Sequence, residues 1–219
     1  MSLSNSPKLV SGGLVVMPPG GGTPKQTIAL QYNPDTLTRS YQVQGSGGDA
    51  GAERATPFRL KGPAIETIKL DAEIDATDGL EHPDGNPNAV DFGVAPQLAA
   101  LEALVNPSVA ELQALDALAS AGTLEIVPPE APLVLFTWGK GRVVPVRVQE
   151  FSITEEAFDA LLNPIRAKVS LGLRVLTVDD LGFRHKGGAL FLDYLRAREA
   201  LAAKAGSAAP AALGLTNLP

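Results

Sequence analysis

Cysteine is absent from the 219 residues of this chain. Disulfides, thiolate metal sites and cysteine nucleophiles are therefore excluded. Histidine is nearly as scarce: His82 and His185 are the only two, and tryptophan occurs once. Neither histidine stands beside a G-x-S-x-G turn or a comparable nucleophile turn, so covalent catalysis has no visible machinery. Aromatic residues make up 5% of the chain, and none interleaves with Arg166, Lys168 and Arg174 as a base-stacking surface would require. Positive charge is in deficit, with 18 Lys and Arg against 24 Asp and Glu and a formal net charge of −6. That balance argues against a nucleic-acid binder acting through bulk charge. Long apolar runs are missing as well. Nothing approaches the ~20 residues of a membrane span, and the apolar run at 14–17 is too short for a signal sequence. The expectation is a protein made and kept in the cytoplasm, which can travel later as part of a particle.

What is present points to a packed, β-rich domain. Hydrophobic residues make up 45% of the chain, enough for a core at this length. Gly 22 and Pro 18 exceed the usual combined share of about 12% and indicate many loops. Residues 65–77 carry the clearest period of two: Ile68, Leu70, Ala72, Ile74 and Ala76 alternate with Thr67, Lys69, Asp71, Glu73 and Asp75. A helix would spread those acids all round its surface, whereas a strand gives one buried and one wet face. Strands are also predicted over 25–32, 36–44, 123–127, 133–138, 142–151 and 167–177, with a tight turn at 138–142.

Between 96 and 121 the period changes to helical. Asn106-Pro107-Ser108 divides two helices, with Ser108 as N-cap and Glu111 completing a capping box. A last amphipathic helix is expected over 190–204, followed by a frayed Ala/Gly/Pro-rich tail. The segment 78–94 reads as a long loop of D-G, H-P and N-P breakers. Strands on both sides of the helices favour a mainly β fold with helices (α+β), a barrel or sandwich, over an alternating α/β sheet. Residues 139–204 hold 11 Lys/Arg and 8 Asp/Glu, so they are net positive while the remainder is net negative. Such asymmetry allows copies of the chain to attract one another head to tail.

Candidate chemistry is thin. Asp71, Asp75, Asp78, Glu81, His82, Asp84 and Asp91 offer oxygen donors for a divalent metal, and a metal-dependent hydrolase using residues 71–91 is the alternative from another functional class. Their spacing matches neither an EF-hand nor a helical His-pair motif. The run 20–25 lacks the spacer of a phosphate loop, and Pro24 removes a backbone donor. Glu155 and Glu156 are expected to open a short helix, and His185 to be a solvated residue ahead of the last one. No catalytic, cofactor or metal residue is assigned.

Several motifs in order resemble the tube and baseplate proteins of contractile injection systems, phage-tail-like particles that drive a rigid tube through a membrane. Tyr32-Asn33-Pro34-Asp35-Thr36-Leu37 resembles the family's F-N-P-x-x-L signature. The strand ending at Asp75 is similar to its L-x-L-x-x-x-F-D strand. PLVLFTWG, ending in Trp138-Gly139, then Phe158 and Asn163-Pro164-Ile165-Arg166-Ala167, follows the order of its core. Position 163 is Asn where the family often has Gly, and Ile74 replaces an aromatic. Many members continue into a peptidoglycan-binding LysM module, whereas residues 179–219 read as a helix and a tail.

The resemblance implies a tail-tube-like β domain over 25–178, preceded by a flexible arm at 1–24 and followed by a helix and tail at 179–219. It implies a structural, non-enzymatic subunit of a hexameric ring between hub-spike and inner tube, a tube initiator or baseplate adaptor. Its partners would be further copies of itself, the inner tube protein, the hub-spike and baseplate wedge proteins. The inner tube protein itself is the alternative within that class. Tyr32, Asn33, Pro34, Asp75, Trp138, Gly139, Phe158, Pro164 and Arg166 are the residues expected to carry fold and assembly.

Overall fold

The structure, a computed structural model, describes residues 10–19, 21–45, 60–122 and 131–206. The expected strand at 123–127, nearly all of the polar loop at 45–56, arm residues 1–9 and most of the tail lie outside the described residues.

Seven strands form one antiparallel sheet: β1 (Gly13–Met17), β2 (Gln26–Ala29), β3 (Leu37–Gln42), β4 (Ile65–Asp75), β5 (Leu133–Thr137), β6 (Val143–Phe158) and β7 (Pro164–Val175). Their order is β2-β1-β5-β6-β7-β4-β3. Four helices lie between β4 and β5: α1 (Thr77–Leu80), α2 (Pro87–Phe92), α3 (Ala95–Glu102) and α4 (Val109–Ser120). A 3-10 turn, Pro83–Gly85, separates the first two. After β7 come α5 (Val178–Leu181) and α6 (Lys186–Ala202). The mixed α+β class, the central helical insertion and the C-terminal helix all agree with the sequence reading.

The alternation in β4 becomes the core. Ile68, Leu70 and Ala72 are buried opposite Leu173, Leu171 and Val169 of β7, while Lys69, Asp71 and Glu73 are exposed. Phe151 and Ile153 of β6 extend the same rows. Burying a side chain such as Ile68 or Leu173 contributes about 1.5–3 kcal/mol. Leu98 and Leu101 of α3, and Phe191 and Tyr194 of α6, close over this cluster. β6 passes the sheet from one neighbour to the other: residues 143–146 pair with β5, and from Val146 onward it pairs with β7 across a bulge after Val148. The sheet is not closed into a barrel. Its end strands β2 and β3 are not paired with each other.

Four expectations need correction. Gly13–Met17, inside the segment read as a flexible arm, is an interior strand: Leu14 packs in one apolar cluster, Val15 and Met17 in another, and Val16 is buried. The flanking Gly and Pro residues hid a run that is apolar on both faces. The 78–94 loop is a chain of short helical turns, because the prolines occupy first-turn positions, where their missing N–H costs nothing. Glu155 and Glu156 begin no helix, since β6 continues to Phe158 opposite Pro164. His185 is not simply solvated. Its Nδ1 accepts from the Gly187 N–H and caps α6, and Nε2 contacts the Pro19 carbonyl at 2.9 Å. The expected capping box of α4 is present: Glu111 N–H donates to Ser108 Oγ and Ser108 N–H donates to the Glu111 carboxylate.

Candidate assembly surfaces

The signature at Tyr32-Asn33-Pro34 locks two strands together from a loop. The Asn33 side-chain amide accepts from the Gly12 N–H (2.8 Å) and donates to the Val10 carbonyl (3.0 Å). This amide makes the pair of bonds that a neighbouring strand residue would make. Gln31 repeats the device towards β4, accepting from the Asp75 N–H at 2.9 Å and donating to the Asp75 carbonyl at 2.8 Å. The exposed Tyr32 hydroxyl reaches Asp78 at 3.4 Å. The charge of Asp78 holds that phenol above its ordinary value. Pro34 lies in the turn that leads into β3.

Asp75 and Arg166 meet where β4 ends and β7 begins. Arg166 Nη2 and Nε lie 2.7 and 2.8 Å from Asp75 Oδ2, and the Thr77 N–H donates to Oδ1 at 2.8 Å. The Thr77 hydroxyl also donates to Oδ1, and this bond is the leading reason that Asp75 titrates below the usual carboxylate range. The neighbouring Pro164 carbonyl accepts the Val94 N–H at 2.8 Å and ties β7 to the start of α3. Phe158 stays half exposed opposite Pro164. Trp138 lies away from this group. It stacks on Phe136, with centroids 5.9 Å apart, and covers Gly12 so closely that a Cβ there would sit 2.4 Å from the indole. The Trp138 N–H donates to the Arg142 carbonyl, and Gly139 supplies the positive φ of that turn. The structure therefore joins Asp75, Pro164, Phe158 and Arg166 at one end of β6, links Tyr32 and Asn33 to them through Gln31, and leaves Trp138 and Gly139 at the other end.

A depressed folded pKa gives stability that is present above the unfolded carboxylate value near 4 and is lost as pH falls through the folded value. Asp75→Asn should therefore lower Tm at pH 7, and the difference from the parent should shrink progressively as the pH drops below about 4. A thermal-melt series over that range checks it, and a gap that stays constant with pH would refute the ion-pair role.

The wet face of the three longest strands carries both charges in cross-strand rows. Lys69 Nζ meets Glu150 at 2.6 Å across the side-chain-free Gly172, Lys168 meets Glu156 at 3.1 Å, and Arg166 lies between Glu73 and Asp75. Each exposed pair adds little stability, but together they make a hydrophilic, locally neutral surface. The sheet edges are open. Among the described residues the outer edges of β2 and β3 meet no further strand.

One cluster escaped the sequence reading. Glu66, 3% exposed, accepts from the hydroxyls of Tyr41 (2.8 Å) and Tyr194 (3.0 Å), and lies 3.3 Å from Arg198 and 3.5 Å from Arg39. Burial, followed by the charge of Glu66, pushes Tyr194 up to about 12. The signal was in the sequence: Glu66 occupies an even position of β4, the parity of Ile68 and Leu70, so it places a charge on the apolar face. Four of the acids of 71–91 have partners of their own: Glu73 meets Arg166 and Asp78 meets Tyr32. Asp71 pairs with Ser170 and Asp75 with Arg166, and among the described residues no three His, Asp or Glu side chains converge as a metal site would require. Among those residues, no helix is long and apolar enough to cross a membrane.

A search of curated proteins found no match. The family model described as contractile injection system tube protein matches residues 18–180, about three quarters of the chain and nearly the whole sheet. The chain belongs to the contractile injection system tube protein family.

Proposed function

We propose that this chain is the ring-forming baseplate or tube-initiator subunit of a contractile injection system, assembled in the cytoplasm and working without catalysis. Six copies form a ring that joins the hub-spike below to the inner tube above, with baseplate wedge proteins outside. The observation that carries the reading is the open seven-stranded sheet. Among the described residues the outer edges of its two end strands meet no further strand, which is an aggregation liability in a monomer and a defined interface in a ring. The mixed-charge face of β4, β6 and β7 suits a water-filled axial channel, since its ion pairs satisfy one another and leave no strong field of one sign. The domain division belongs to the same proposal, with the tube-like unit of 25–178 extended to take in β1, which pairs with both β2 and β5, and a helix after it. The residues at the Asp75–Arg166 junction hold the strand ends that such a ring presents.

The purified chain should be monomeric or heterogeneous by native mass spectrometry and close into six-membered rings when tube and hub components are added. Electron microscopy of intact particles should place one such ring between spike and tube. Particles with this chain absent from the axial channel would end the reading.

A further inference from the structure

We infer that neighbouring copies in the ring join by inserting the β6–β7 hairpin tip of one subunit into an apolar cavity of the next. The inference rests on the ring reading and names the surfaces that would make it. Phe158, Leu161 and Leu162 at the tip are 50%, 80% and 78% exposed, and Phe92 of α2 beside them is 52% exposed. Asn163 binds this helix to the tip through the Asp91 carbonyl at 3.1 Å. Four large apolar side chains at one place exceed the scattered exposure of an ordinary surface.

The tip is also rigid. Asp159 accepts from the N–H groups of Leu161 and Asn163, both at 2.8 Å, and from the Asn163 amide. Ala157 (φ 53°) and Leu162 (φ 67°) are the two non-glycine residues with positive φ among those described, and they flank this turn. The turn itself calls for a left-handed residue at 162, and leucine fills that position instead of the Gly or Asn that suits it best. A preorganised tip loses little entropy on docking.

The occupant follows from charge. Residues 77–94 and 155–163 around the tip contain seven Asp and Glu and no Lys or Arg. A cavity of about 410 Å³ on the same chain has Val105, Val148, Leu176 and Leu181 in its wall, and among the described residues its only ionisable lining groups are Arg147 and His185. A void of ~150 Å³ already holds a benzene ring, so two leucine side chains fit. Arg147 and Glu155 are both exposed, and neither forms an ion pair among the described residues. The tip cannot fill its own cavity. Val94 touches Pro164 at one end of α3, and Val105 lies beyond the other end, so a helix of about 12 Å separates them. A tip-to-cavity contact between copies is heterologous and closes into a ring when the rotation permits.

The test uses the full chain, which has no native cysteine. Leu161→Cys combined with Val105→Cys should, on mild oxidation of assembled rings, give a ladder of disulfide-linked oligomers. Within one subunit the two Cα atoms are too far apart to bridge. Glu155→Arg or Arg147→Glu alone should weaken ring formation about tenfold or more, and the two together should restore most of it. Leu162→Asn should leave Tm unchanged or raised while ring formation falls. Rings that form normally with no cross-link and no response to the charge reversals overturn this contact and leave the ring reading standing. Failure of the parent chain to form any ring with tube and hub components overturns both.

Discussion

Glu66→Ala should lower stability by about 2–4 kcal/mol, the cost of breaking a buried ion pair reduced for the partial exposure of both arginines. For a chain of this size that corresponds to a Tm about 5–15 °C lower. The loss is large because the partners are left behind: a buried Tyr194 hydroxyl, the Tyr41 hydroxyl, and two guanidinium groups that approach each other without the carboxylate. Arg39 and Arg198 both lie over the Tyr41 ring, at 5.6 and 5.2 Å, so the cluster also binds α6 to the edge strand β3. Glu66→Gln keeps an acceptor for the hydroxyls and should cost less. Hydrogen exchange should show α6 and β3 loosening together in the alanine variant. Glu73→Ala, on the exposed side of the same strand, should stay within about 0.5 kcal/mol of the parent. Equal effects at positions 66 and 73 would refute the clamp.

Gly93→Ala should be the most damaging of the glycine substitutions in the helical insertion. At φ 58° and ψ −128° the residue occupies backbone space that side chains avoid, and a Cβ would lie 2.1 Å from the Pro164 carbonyl oxygen. That oxygen accepts the Val94 N–H, so relief of the clash pulls the start of α3 away from β7. Conformational strain of about 1–3 kcal/mol and overpacking of about 1–3 kcal/mol add at this site. Gly139 is the control: its φ is also positive, 71°, but a Cβ there meets nothing within 4 Å. Gly139→Ala should lose the conformational part only. Denaturant melts of both variants separate the two contributions, and equal losses would show that contact with Pro164 does not matter.

Much of the fold was legible because it is written in short-range pattern. The period of two in 65–77 yields β4, the Ser108–Glu111 spacing yields the cap of α4, and the Trp138-Gly139 turn yields the β5–β6 hairpin. Each depends on residues within a few positions of one another. The family motifs were legible too, but as an order of residues rather than as contacts. Asn33 and Gln31 show the difference: both amides stand in for strand neighbours, yet nothing near them in the chain says that Val10, Gly12 and Asp75 will be the partners.

Where local signals competed, the tertiary structure decided. Val15 and Met17 are strand residues because β5 and the helices offer a second apolar surface, and Glu155 stays extended because β7 continues to pair with it. Sequence alone determined which face of β4 is apolar, where α4 starts and which family the chain resembles. Only the tertiary structure decided that Glu66 has four partners, that the sheet stays open, and that leucines crown the β6–β7 turn. The physical reason is range: periodicity and capping act over one or two turns of chain, whereas these outcomes depend on which groups far apart in the chain the strand pairing and α6 bring together.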